Sequence, residues 1–170
     1  MNNVSRIAVI TTFIFLFGLS GAYAQGSLGK GNKQLNAGVG LSNWGVPIYA
    51  GLDFGVHPDI TVGPIVSFRN WNQRIGTVNY SHNIFVLGVN GNYHFNTLID
   101  LDPEWDLYAG ATLGYWFWTS SSNYPGTYVS TVGFVGQIGA RYFFSDKFGA
   151  NLELGGGYVS GGRLGVTLKL

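Results

Sequence analysis

Cysteine is absent from the 170-residue chain. Its absence excludes disulfides, thiolate metal sites, a cysteine nucleophile and a lipid-modified cysteine anchor. Charge is nearly as scarce: Asp, Glu, Lys and Arg make up only 10% of residues, with a net charge of +1, where a soluble domain usually carries about a quarter. A balance so near zero offers no basic field for nucleic acid, and none is expected as a partner. Long apolar runs are missing too. The longest mainly apolar stretch, Ile7 to Leu19, holds 13 residues, against about 20 for a spanning helix.

That stretch has a reading of its own. Arg6 supplies a positive n-region, Ile7 to Leu19 an apolar h-region, and Ala22-Tyr23-Ala24 a small-residue cleavage site before Gln25. Residues 1–24 are therefore expected to be a secretory signal peptide. Residues 25–32 are expected to be a mobile, Gly-rich periplasmic lead-in, followed by one domain over 33–170. If that domain meets a membrane, it must do so with strands.

What the chain does contain is 27 glycines, 16% aromatic residues and a period of two. The clearest stretch is Tyr128 to Leu154. Val132, Phe134, Gly136, Ile138, Ala140 and Tyr142 alternate with Thr131, Gly133, Val135, Gln137, Gly139 and Arg141. After Ser145-Asp146-Lys147, Ala150, Leu152 and Leu154 alternate with Asn151 and Glu153. Side chains of period two lie on opposite faces of a strand, and the short turn makes the pair an antiparallel hairpin. The same alternation recurs at about 33–41, 48–56, 60–69, 82–95, 105–118 and 163–170. Pro64, which cannot donate to a ladder, is expected to mark a bulge. The polar connections at 42–47, 70–81, 119–127 and 155–162 are expected to be outer loops, and the acidic stretch 96–104 a longer connection at the other end.

Eight strands in unbroken order predict an all-β fold, a transmembrane up-and-down antiparallel β-barrel. An open sheet would leave two unpaired edges, which hydrocarbon does not tolerate. Eight strands also make an interior just wide enough for side chains to fill. Charge placement fits: Asp53, Arg69, Asp106, Arg141, Glu153, Arg163 and Lys169 all fall on the inward parity. A Lys or Arg facing mid-bilayer lipid would cost about 2–4 kcal/mol. These seven form the expected lumen charge network, with Arg141 paired to Glu153 on its hairpin partner. Opposite charges in a narrow, dry interior are stable only when paired, so the network reads as a plug.

Aromatics gather at strand ends. Trp44, Phe68, Tyr115 and Phe117, with Trp71, Trp116, Trp118 and Tyr158, are expected to form an outer girdle. Tyr93, Phe95, Trp105, Tyr142 and Phe144 are expected to form a periplasmic one.

The chain resembles the small outer-membrane β-barrels of the OmpA/OmpX-like group, and more closely the porin-family barrels common in Bacteroidetes. The resemblance rests on Gly55 to Gly63, Gly91 to Phe95, Trp105 to Trp118 and Phe143 to Gly157, and covers 33–170. It implies the bacterial outer membrane, contact with its lipid, and recognition by the barrel-assembly machinery during biogenesis. The chain departs from the family pattern in ending on Leu170 rather than an aromatic residue.

Chemistry is thinly represented. Acyl transfer or hydrolysis needs a hydroxyl, a histidine and a carboxylate in mutual reach. Of His57, His82 and His94, only His82 lies at outer-leaflet depth, and no carboxylate shares that depth. The acids Asp100, Asp102 and Glu104 read as a solvated turn, so no metal site is expected, and no cofactor. No helix follows the glycines, so no phosphate loop is present. The expectation is a non-enzymatic, monomeric barrel that acts through its outer loops or in envelope maintenance. The rival is a passive, porin-like channel for small solutes, with a lipid A-modifying enzyme a distant third. The sequence names no extracellular ligand.

Overall fold

In a computed structural model, which describes residues 27–170, the alternation resolves into eight antiparallel strands. They are β1 (Lys33–Ser42), β2 (Ile48–His57), β3 (Ile60–Ile75), β4 (Val78–His94), β5 (Trp105–Ser120), β6 (Thr131–Phe143), β7 (Phe148–Gly157) and β8 (Gly161–Lys169). One four-residue helix, α1 (Asn96–Ile99), interrupts the connection before β5. Each strand pairs with the next. β1 also pairs with β8, from Gln34 opposite Lys169 to Ser42 opposite Gly161, so the sheet closes into a barrel without edges. The signal peptide expected at 1–24 lies outside the described residues, as do Gln25 and Gly26.

The burial pattern is that of a soluble protein turned inside out. Outward positions are apolar and open, with Val89 at 59%, Leu113 at 58% and Leu164 at 59% exposure. Inward positions such as Asn90, Asn92, Asp106, Gln137, Asn151 and Thr167 are polar and buried. Such an apolar exterior is stable only against lipid. Replacing Leu113, midway along β5, by arginine is expected to cost about 2–4 kcal/mol in unfolding from lipid vesicles. An unchanged urea midpoint for Leu113→Arg would remove this face from the hydrocarbon.

The belt has visible margins. Phe68, Phe85 and Phe117 stand in one cross-strand row, and Tyr115 and Phe117 touch with ring centroids 4.6 Å apart. At the opposite end Trp105 faces Tyr142, and Tyr93 and Phe95 meet at 5.4 Å. From Trp105 to Phe117 the strand covers about 40 Å at ~3.3 Å per residue, or about 30 Å once tilted, the thickness of a hydrocarbon core.

Several sequence-based expectations are corrected. The stretch 70–81 is not a loop: the β3–β4 register runs unbroken from Ile60 opposite Tyr93 to Ile75 opposite Val78. Only Gly76 and Thr77 remain as the turn, with Gly76 at φ +60°, the conformation a two-residue hairpin needs at its first position. Strands likewise reach Gly157 and restart at Gly161, leaving three residues of the expected loop 155–162. The bulge lies at Gly55 to His57, not at Pro64. Register with β2 is the same on both sides of Pro64, from Gly51 opposite Ile65 to Phe54 opposite Val62. A proline drops a hydrogen bond without requiring an extra residue. The lead-in is also held in place: Leu28 is buried, and Gly55 exchanges backbone hydrogen bonds with Gly31 and Asn32 at 2.8 and 3.0 Å.

Candidate functional site in the barrel lumen

The lower half of the lumen, on the side of both chain ends, is filled by a hydrogen-bonded polar plug. Arg141 on β6 donates from Nη1 to Asp106 Oδ2 at 2.8 Å and from Nη2 to Asp53 Oδ2 at 2.9 Å. Its guanidinium also lies 4.3 Å from the Tyr108 ring centroid. All three charged groups are buried. Asp53 accepts three more bonds, from Gln34, Asn36 and Asn90, at 3.1, 2.9 and 3.2 Å. From Asn36 the chain continues through Thr167 and Asn151 to Tyr49. Tyr108 donates to Glu153 at 3.1 Å, and Glu153 pairs with Arg163. Gly139 stands opposite Tyr108, where a Cβ would overlap the phenol ring. Every strand contributes a side chain to the plug.

The expected Arg141–Glu153 pair is therefore replaced. Being hairpin partners does not settle register: Arg141 faces Asn151 across the hairpin, while Gly139 faces Glu153. On the other side Arg141 stands directly opposite Asp106. Glu153 faces Arg163 on β8 and pairs there. Lys169 lies over Phe143, 3.9 Å from the ring centroid, and Arg69 donates to Ser42 Oγ at 2.8 Å. Neither forms an ion pair among the described residues. The network thus joins five of the seven expected charges, and Arg69 and Lys169 stand apart.

A hydroxyl–imidazole–carboxylate chain sits inside the plug. Thr61 Oγ1 lies 2.9 Å from His94 Nε2, and His94 Nδ1 lies 2.6 Å from Asp106 Oδ1. The order is that of a nucleophile, a base and its orienting acid. Yet Thr61, His94 and Asp106 are all 0% exposed, and neither lumen cavity touches Thr61. A hydroxyl no substrate can approach holds the barrel together instead. Sequence inspection missed the trio because its members are scattered over three strands. Their shared inward parity was the available signal.

The upper half is closed by aromatic packing. Ile84, Val86, Trp116, Trp118 and Val159 form a buried cluster, backed by Trp44, Trp71, Tyr128 and Tyr158. Trp118 stacks on Tyr128 with centroids 4.4 Å apart and meets Trp44 edge-on at 4.9 Å. Trp44, Trp71, Trp116, Trp118 and Tyr158 are thus not girdle residues, because they point into the lumen. Trp71, Trp116 and Trp118 share the inward parity of Arg69 and Thr112, which the girdle assignment disregarded. Phe68, Tyr115, Phe117, Tyr93, Trp105, Tyr142 and Phe144 are exposed on the outer wall, and Phe95 is half-buried. His82 is buried at the upper edge of this cap, bonded to Ser120 at 2.8 Å and ringed by Trp71, Tyr124 and Tyr128. Between plug and cap lies a cavity of about 80 Å³. A second, of about 20 Å³, lies within the plug and has room for about one water.

An apolar belt outside and a packed polar-and-aromatic core inside define the class: a small eight-stranded transmembrane β-barrel. No protein-family model and no curated relative matches the chain. Solved structures do match. The N-terminal β-barrel domain of Pseudomonas aeruginosa OprF is 16% identical at a TM-score of 0.65, over 84% of this chain and all of that one. OprG of the same organism is 10% identical at a TM-score of 0.68, over 86% and 99%. A de novo designed transmembrane barrel is 18% identical at 0.59, over 85% and 99%. At these identities the likeness is one of fold. A designed chain sharing it illustrates that the architecture alone carries no function.

Proposed function

We propose that this protein is a non-enzymatic barrel of the bacterial outer membrane, inserted as a monomer by the barrel-assembly machinery. It works through its upper, extracellular end, in adhesion, partner binding or envelope maintenance. The observation that carries this reading is a lumen filled from both sides, by buried polar groups below and packed aromatic rings above. The β3–β4 hairpin supports it further. It continues seven residues beyond Phe68, from Arg69 to Ile75, about 23 Å along the strand at ~3.3 Å each. Its outward side chains there turn polar, with Asn70 bonded to Asn83 at 2.9 Å. An ordered platform of this kind suits contact with another molecule. A passive channel is the second reading, and the cavity between plug and cap is what speaks for it.

The cysteine-free sequence makes a clean topology test. Thr77→Cys, at the hairpin tip, is expected to react with a membrane-impermeant maleimide in intact cells. Asp100→Cys, in the connection after α1, is expected to react only after permeabilisation. Labelling in the reverse order, or of neither site after permeabilisation, would overturn the placement. Flux of small sugars through proteoliposomes above the empty-vesicle rate would move the channel reading to first place.

A further inference from the structure

The cavity between plug and cap has an electrostatic asymmetry that the plug does not explain. Arg69 is only 6% exposed, has no carboxylate partner among the described residues, and leaves Nε without a hydrogen-bond partner. Arg163 lines the same cavity, with Glu153 as its partner. Two guanidiniums against one carboxylate leave one positive charge unmatched. Of the residues lining the cavity, only Arg69 and Trp116 have a buried polar atom without a partner. Both atoms, Arg69 Nε and Trp116 Nε1, are N–H donors. Ser42, Ser67 and Thr112 add hydroxyls to the wall.

An isolated buried cation is among the most expensive groups a protein can hold. A guanidinium fork beside further donors is built to bind oxyanions. The volume of about 80 Å³ equals the space of about five to eight waters. That suits a tetrahedral or planar oxyanion. We propose that this mid-lumen cavity binds one small free oxyanion, of phosphate or sulfate size, held by Arg69 with Arg163 and the Trp116 indole N–H. The site deepens the picture of a filled lumen, since the anion would complete the packing between plug and cap. It does not depend on which molecule the upper loops contact.

The test compares unfolding of the refolded barrel in zwitterionic, phosphate-free micelles, with inorganic phosphate or sulfate as the probe. Sodium gluconate, whose anion is bulkier than phosphate or sulfate, holds ionic strength constant. The parent is expected to gain stability with phosphate in a saturable way, and Arg69→Met to lose that response by at least tenfold in concentration. Without phosphate, Arg69→Met is expected to be as stable as the parent or more so, because it removes an unpaired buried charge. Phosphate then reverses the order. Lys169→Met, outside the cavity, is expected to retain the parent's response. Should Arg69→Met fail to fold, phosphorus NMR line broadening with the parent, relieved by excess sulfate but not by gluconate, supplies the same evidence. A parent indifferent to phosphate and sulfate, or an Arg69→Met response equal to the parent's, would refute the site.

Discussion

Replacing Arg141 by alanine is expected to lower the stability of the folded barrel by about 3–5 kcal/mol, the cost of removing one partner from a buried charge pair. The estimate sits at the high end for a single substitution because two carboxylates depend on this guanidinium. Arg141 reaches Asp106 at 2.8 Å and Asp53 at 2.9 Å, and all three side chains are nearly inaccessible. Without it, Asp53 keeps only the amide donors of Gln34, Asn36 and Asn90, and Asp106 keeps only His94. Equilibrium unfolding in urea, followed by tryptophan fluorescence, measures the loss. The cause can be separated from mere loss of volume. Arg141→Met combined with Asp53→Asn and Asp106→Asn keeps the shape and removes all three charges. That variant is expected to recover most of the loss, because matched apolar or neutral replacements of buried ion pairs are often tolerated. If the triple variant is as unstable as Arg141→Ala, packing rather than charge governs the plug.

Trp118→Ala should be nearly as costly, at about 3–5 kcal/mol for a large aromatic removed from a packed interior. Its ring is 9% exposed, stacks on Tyr128 and meets Trp44 at 4.9 Å. The substitution hollows the cap directly beneath the upper loops. The expected signature is a lower unfolding midpoint together with faster amide exchange at Trp44, Tyr128 and Tyr158. Phe117→Ala, one position along and facing outward, is the control. Its ring contacts Tyr115 and Phe85 at the belt margin, so its loss should leave exchange in the cap unchanged. Equal effects on the cap from both variants would contradict the assignment of Trp118 to the lumen and Phe117 to the wall.

The two substitutions mark where the sequence was legible. Parity placed all seven strand charges inward, because the pleat leaves a strand residue only two directions, and the same rule, applied to Phe117 and Trp118, sets them on opposite faces. Strand number and order followed from the same rule. Misplacing Trp116 and Trp118 in the girdle came from weighing their position at a strand end above their parity. Register was less accessible. Whether Arg141 meets Glu153 or Asp106 depends on a one- or two-residue offset between neighbouring strands, which composition does not encode. The stretch 70–81 hid its strands for a different reason. Beyond the Phe68–Phe85 row the outer face meets water, so Asn70, Asn72 and Arg74 face outward and the apolar alternation ends while the backbone ladder continues. The Thr61–His94–Asp106 chain and the unmatched Arg69 became visible only once three-dimensional neighbours were known.

The central claim is that plug and cap together close the lumen, and single-channel recording of the refolded protein in planar bilayers tests it most directly. The parent is expected to be electrically silent, and a variant carrying both Arg141→Ala and Trp118→Ala to open small, flickering pores. Steady ohmic current through the unaltered protein would contradict the closed lumen and make solute passage the function to pursue.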